Sequence, residues 1–204
     1  MTKDYILTSL EEMIPNPKCE LNYNSDYTLL IAILLSAQTL DKHVNKVTPI
    51  LFSKYPTLKD LKNANLSDLE QIIHPLGLSK NKSKAIKNLA TTLVEKYNEK
   101  IPTTREELTK LPGVGNKTSG VYLVEYLGEN FLPVDTHIKR VSYRLGLTKE
   151  DETPDNIESI LTSLFKENLA ILHQRMVLFG RYTCTSKNPK CEHCKFNKKC
   201  ILTK

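Results

Sequence analysis

An all-α fold is predicted by three observations. No stretch alternates apolar and polar residues with period two for long enough to build a sheet. Apolar residues recur instead at helical spacing, in about ten segments joined by short loops. Most of these segments open on a capping residue or close at Gly or Pro. No internal repeat suggests a solenoid. A chain of 204 residues, 40% hydrophobic, can bury a substantial core in one domain or in two small ones. The greasiest run, Leu29 to Leu35, is far too short to span a bilayer. Met1 to Pro15 carries Asp4, Glu11 and Glu12 and reads as an amphipathic helix, not a secretory signal. A soluble cytoplasmic protein with no membrane contact is expected. Its formal charge of +6 suits a polyanionic partner.

In chain order, Asp4 to Met13 forms a first helix, closed by Ile14-Pro15-Asn16-Pro17. Tyr27 to Gln38 is apolar almost all round, which predicts a central buried helix. Asp41 can cap the next helix, where Pro49 should produce a kink or mark the true start. Ser67-Asp68-Leu69-Glu70 has the form of a capping box, and its helix must stop near His74 because Pro75 and Gly77 follow. The loop Leu76-Gly77-Leu78 then places two leucines beside a turn. Ala85, Ile86, Leu89, Leu93, Val94 and Tyr97 mark a long helix with a lysine-rich outer side. A second capping box, Thr103 to Glu106, precedes Leu108 and Leu111. The helix from Lys117 to Leu127 stops at Gly128. After the extended Phe131-Leu132-Pro133-Val134, Asp135 stands where an N-cap belongs. Thr153-Pro154 opens another helix with Pro at its first position. A last one, Leu169 to Phe179, leads into the cysteines.

The stretch Leu111-Pro112-Gly113-Val114-Gly115-Asn116-Lys117 joins two helices through a glycine-rich turn. Glycine permits positive φ and leaves no side chain over the backbone N–H groups. The helix beyond begins with unpaired N–H groups and the positive end of its dipole, a surface that binds phosphate. Gly113, Val114 and Gly115 can supply those groups, and Lys117 sits on the first helical turn. Asp135 lies eighteen residues further on. A helix to Leu127 covers ~16 Å at 1.5 Å per residue, and an extended return from Gly128 covers ~23 Å. The chain is therefore long enough to bring the carboxylate back beside the amine. Two pairs of roles stay open: Lys117 as phosphate contact or as nucleophile, and Asp135 as plain helix cap or as proton acceptor. A nucleophilic amine must first shed a proton that an ordinary lysine, of pKa about 10.4, holds at pH 7.

The five cysteines are unevenly spread. Cys19 is alone and suits a buried site. Cys184, Cys191, Cys194 and Cys200, at spacings of 6, 2 and 5, supply four thiolates within seventeen residues. In an intracellular protein such a group indicates metal rather than disulfides. Tetrahedral zinc and an iron–sulfur cluster both accept four soft ligands, and the wide outer gaps favour the bulkier centre.

Together, Leu111 to Lys117, Val134-Asp135-Thr136-His137 and the spaced cysteines resemble the endonuclease III family. These are bifunctional DNA glycosylases and AP lyases of the helix-hairpin-helix superfamily. Leu34-Leu35-Ser36-Ala37-Gln38 and Gly180-Arg181-Tyr182-Thr183-Cys184 match it as well, so the likeness covers nearly the whole chain. It implies two lobes with duplex DNA between them. One is a six-helix barrel with the hairpin, residues 22–130; the other joins 1–21 to 131–204 and carries a [4Fe–4S] cluster on the four cysteines. It further implies that Lys117 attacks C1′ of a damaged pyrimidine nucleotide, or of an AP site, and that β-elimination then cuts the strand. Asp135 would assist deprotonation and stabilise the cationic intermediate. Gly113, Val114 and Gly115 would hold a phosphate. Gln38 with Leu76 or Leu78 would fill the gap left by the flipped nucleotide. A monomer is expected. The sequence departs from the family at Pro49 and at Phe179, where a histidine is usual before Gly-Arg-Tyr. The chain ends four residues after Cys200, so no added recognition domain is expected. The competing readings are a non-catalytic DNA-binding module and an enzyme that is chiefly an AP-site lyase.

Overall fold

The computed structural model describes residues 1–203. Among them are eleven α-helices and no strand: α1 (Lys3–Met13), α2 (Asp26–Leu35), α3 (Asp41–Lys54), α4 (Leu58–Asn63), α5 (Leu66–Ile73), α6 (Ser79–Lys96), α7 (Arg105–Thr109), α8 (Asn116–Leu127), α9 (Thr136–Arg144), α10 (Pro154–Phe165) and α11 (Leu169–Tyr182). Short 3-10 turns follow within Cys191–Thr203. The all-α prediction holds. None of these helices is long and apolar enough to cross a membrane. The helices form two compact units, Cys19–Leu127 and Met1–Lys18 with the chain from Gly128 onward.

The Cys19–Leu127 unit is built on α2, which is buried on every side from Thr28 to Leu35. Its start is fixed by a reciprocal Ser25–Thr28 capping box. It ends where the polar run Ser36-Ala37-Gln38-Thr39 begins: the Ala37 N–H bonds to Leu34, three residues back rather than four, and Gln38 turns left-handed at φ +56°. Helix α6 packs on α4 and α5, α3 packs on α5 and α2, and α8 packs on α2 and α7.

Two expected caps shift. Asn65, not Ser67, caps α5, and Thr104, not Thr103, caps α7 by accepting the Glu107 N–H. Asp41 is the first residue of α3, and Leu40 stands at its N-cap. Pro49 neither starts nor ends α3. It lies on the exposed side of that helix, where the carbonyl it leaves unpaired can meet water.

In the other unit α1 and α9 pack on α11, and α10 packs on α9. Ile6, Leu10, Ile138, Val141, Leu161, Phe165, Met176 and Phe179 belong to one core, which extends to Cys184, Phe196 and Cys200. Phe196 anchors the last segment. Its ring meets Phe179 edge-on at 5.5 Å and Tyr5 at 6.0 Å.

Candidate functional site

The hairpin between α7 and α8 is positioned by apolar packing. Leu111 and Val114 are buried, and between them Gly113 takes φ +78°. A Cβ on Gly113 would stand 2.9 Å from both the Ala85 Cβ and the Leu34 Cδ1. Gly113 is thus required twice, for its backbone conformation and for close approach to α2 and α6. Gly115 differs. It has no positive φ, and a Cβ there would meet open space. Among the described residues, the N–H groups of Gly113 and Gly115 meet no acceptor. Val114 departs from the expected trio, because its N–H already donates to the Leu111 carbonyl at 3.1 Å and its side chain lies in the core. Lys117 is exposed on the first turn of α8, where an ammonium faces the positive end of the helix dipole.

Two further loops of this unit are tied together. One follows α2 and carries exposed Gln38; the other follows the 3-10 turn His74–Leu76 and carries Leu78. Leu78 is 53% exposed and, like Gln38, left-handed, with φ +52°. Such conformations cost of order 1–3 kcal/mol for residues other than glycine. Leu76 is only 4% exposed, so its side chain is a core group and not a surface one. Lys82, on α6, reaches both loops. Its Nζ donates to the Leu35 carbonyl (2.9 Å), the Thr39 Oγ1 (2.8 Å) and the Leu76 carbonyl (3.2 Å). Burial lowers the Lys82 pKa from the ordinary lysine value. Sequence reasoning passed over this residue as part of a solvated lysine-rich side. A signal was present, since Lys82 shares the stripe of Ile86, Leu89 and Leu93.

In the other unit Asp135 caps α9 as expected. Its Oδ1 accepts from the N–H groups of His137 (2.9 Å) and Ile138 (2.8 Å), which leaves Oδ2 clear of the cap. One and two turns on, Arg140 and Arg144 hold the chain around Cys184. Arg140 donates through Nε to the Cys184 carbonyl (3.0 Å) and through Nη2 to the Gly180 carbonyl (2.7 Å). Arg144, 9% exposed, donates to the Thr185 carbonyl (2.7 Å), the Ser186 carbonyl (3.2 Å) and the Cys184 Sγ (3.3 Å). No motif announced these arginines.

Cys184, Cys191, Cys194 and Cys200 line a single recess, with Phe179, Phe196, Leu145 and Arg144 also on its wall. Burial raises the Cys194 thiol pKa, aided by the neighbouring cysteines. No three His, Cys, Asp or Glu side chains among the described residues stand close enough to hold a single ion. Four thiols on one recess, an apolar wall and a guanidinium donating to sulfur suit a soft metal centre, whose thiolate ligands need a positive neighbour and little water.

Residues 31–167 match the family model of the HhH-GPD superfamily base excision DNA repair proteins. The endonuclease III of Bacillus subtilis (strain 168) is 38% identical over 94% of this chain and 88% of its own length. A non-covalent endonuclease III–DNA complex superposes with a TM-score of 0.95 at 42% identity, over 98% of this chain and 94% of that one. A trapped covalent endonuclease III–DNA intermediate, an estranged-adenine complex, does so with a TM-score of 0.94 at 42% identity, over 100% and 97%. With the glycine hairpin, the capping aspartate and the four-cysteine recess in one chain, this protein belongs to the HhH-GPD superfamily of base excision DNA repair proteins and, within it, to the endonuclease III family.

Proposed function

We propose that this base excision repair DNA glycosylase and AP lyase removes oxidised pyrimidines from duplex DNA with Lys117 as its nucleophile. The lysine Nζ attacks C1′ of the damaged nucleotide, and the N-glycosidic bond breaks to release the base. Loss of the amine proton and opening of the sugar give a protonated Schiff base. Withdrawal of a C2′ proton then expels the 3′ phosphate, which cuts the strand; hydrolysis frees the lysine. Asp135 takes the proton and offsets the cationic charge, a role its cap-free Oδ2 suits. The N–H groups of Gly113 and Gly115 hold a phosphate. Gln38 and Leu78 occupy the gap left in the duplex, and exposure favours Leu78 over Leu76 for this. We assign residues 22–130 to the barrel lobe, and 1–21 with 131–204 to the lobe with the cysteines. A monomer acting on chromosomal DNA in the cytoplasm completes the reading.

A [4Fe–4S] cluster held by Cys184, Cys191, Cys194 and Cys200 fits the recess. When bound it cross-links four points of a segment with few apolar residues. A colourless, zinc-containing protein would overturn that assignment; brown protein with broad absorbance in the violet is expected.

The observation that carries the mechanism is an exposed lysine at the hairpin-led start of α8, in a chain 42% identical to a protein trapped as a covalent DNA intermediate. Borohydride should trap a covalent adduct with damaged duplex DNA. Lys117→Gln should lower its yield at least about a thousandfold. An undiminished adduct in that variant refutes the mechanism.

A further inference from the structure

The chemistry above makes no use of Lys82, although only 5% of it is exposed. An ammonium has three donors, and all three are engaged with neutral oxygens: the carbonyls of Leu35 and Leu76 and the hydroxyl of Thr39. The Thr39 hydroxyl donates in turn to the Leu76 carbonyl at 2.7 Å, so Lys82, Thr39 and Leu76 close a ring of hydrogen bonds. Its members come from distant parts of the chain, with Thr39 and Lys82 43 residues apart. Packing alone would be met by a methionine, without the expense of desolvating a charge. What the ammonium adds is a rigid link between the turn that carries Gln38 and the turn that leads through Gly77 to Leu78. Both turns hold left-handed backbone, which relaxes unless the surroundings fix it.

We propose that Lys82 is a positioning residue: it locks the Gln38 turn to the Leu78 turn, so that the two side chains enter the duplex as one two-pronged wedge. The inference rests on reading Gln38 and Leu78 as the groups that fill the gap. A wedge ordered before binding spends none of its interaction energy on loop ordering and can meet the unstacking cost in full.

The test compares full-length protein on two DNA substrates. In one, the oxidised pyrimidine is paired within a duplex; in the other it lies in an unpaired bubble, already out of the stack. Single-turnover base removal by Lys82→Met should slow about tenfold on the paired lesion, as misplaced positioning groups do, and change less than about twofold in the bubble. Thr39→Val opens the same ring without burying a new side chain, and should shift the paired substrate in the same direction. In Lys82 protein the effects of Gln38→Ala and Leu78→Ala should be less than multiplicative; in Lys82→Met they should multiply.

Equal slowing on both substrates, or none, in a variant with the wild-type circular dichroism spectrum overturns the proposal. Should Lys82→Met fail to fold, Thr39→Val decides by the same comparison. If Gln38→Ala and Leu78→Ala themselves leave the paired lesion unaffected, the wedge reading fails and this inference with it. If they slow it and neither Lys82→Met nor Thr39→Val does, the inference alone fails.

Discussion

The hairpin and the cysteine segment are held in place by different forces. The hairpin rests on α2, which is buried from Thr28 to Leu35. Gly113 is pressed against Leu34 and Ala85, so apolar packing fixes where its backbone lies. The cysteine segment has little such support. Beyond Thr183 the described chain makes only short 3-10 turns, and its buried residues are Cys184, Phe196 and Cys200. Polar bonds from Arg140 and Arg144, the Tyr5 hydroxyl donating to the Lys195 carbonyl, the Lys195–Glu12 ion pair and the ring of Phe196 add to it. The backbone proposed to meet a phosphate is thus built on packing, whereas the segment proposed to hold the cluster is poor in apolar residues and depends on bonds from neighbouring helices.

The largest effect that can break this comparison lies in the two glycines of one motif. Gly113→Ala forces a left-handed alanine, at about 1–2 kcal/mol. It also adds overpacking against Leu34 and Ala85 of about 1–3 kcal/mol. Thermal unfolding should show a destabilisation of about 2–5 kcal/mol. Gly115→Ala should stay within about 0.5 kcal/mol of wild type yet weaken binding to undamaged duplex, because its new methyl points into open space where a phosphate would approach. Equal stability losses in the two variants would mean that the motif is structural throughout.

A smaller effect is expected on the other side. Arg144→Met strips donors from the Thr185 and Ser186 carbonyls and from the Cys184 sulfur. Leaving such groups unpaired costs about 1–3 kcal/mol. Hydrogen exchange should rise in the chain after Thr183 and in α9, while the amides of α8 keep their protection. Removing the proposed cluster by chelation should reproduce this local pattern and deepen it in the Arg144→Met variant. If exchange rose equally in α8, the two regions would not be separately supported.

The same division explains what the sequence made legible. Helix type, the buried α2, the Asp135 cap and the cysteine spacing all depend on local pattern, and each was readable. The roles of Gly113 and Gly115 look alike in sequence; only the approach of Leu34 and Ala85, from distant parts of the chain, separates them. Leu76 and Leu78 likewise differ through a turn at Gly77 that sends one inward and leaves the other exposed. Lys82 was hidden by its lysine-rich neighbourhood, because its partners lie at the ends of loops that sequence does not bring together. Phe179, where the family usually has histidine, is accounted for by its edge-on contact with Phe196.

The finest test of the comparison is pH, through His137. Its Nδ1 faces the Arg140 Nη2 at 3.2 Å, and since a guanidinium can only donate, the neutral imidazole accepts there. Burial lowers the His137 pKa; the Asp135 carboxylate works against this, and the charges of Arg140 and Arg181 add to it. The unfolded chain, with an ordinary histidine value of about 6.5, therefore binds the proton more readily than the folded one. Stability from this group is full above that value and is lost as pH falls from it through the lowered folded value. Protonation also sets a second cation against Arg140, which braces the carbonyls of Gly180 and Cys184. The unfolding midpoint should therefore decline between about pH 7 and 5, with exchange rising first around Cys184. His137→Gln should flatten that part of the profile and leave the α8 amides unchanged. A slope that survives the substitution would assign the pH dependence to other groups and leave the Arg140 brace indifferent to protonation.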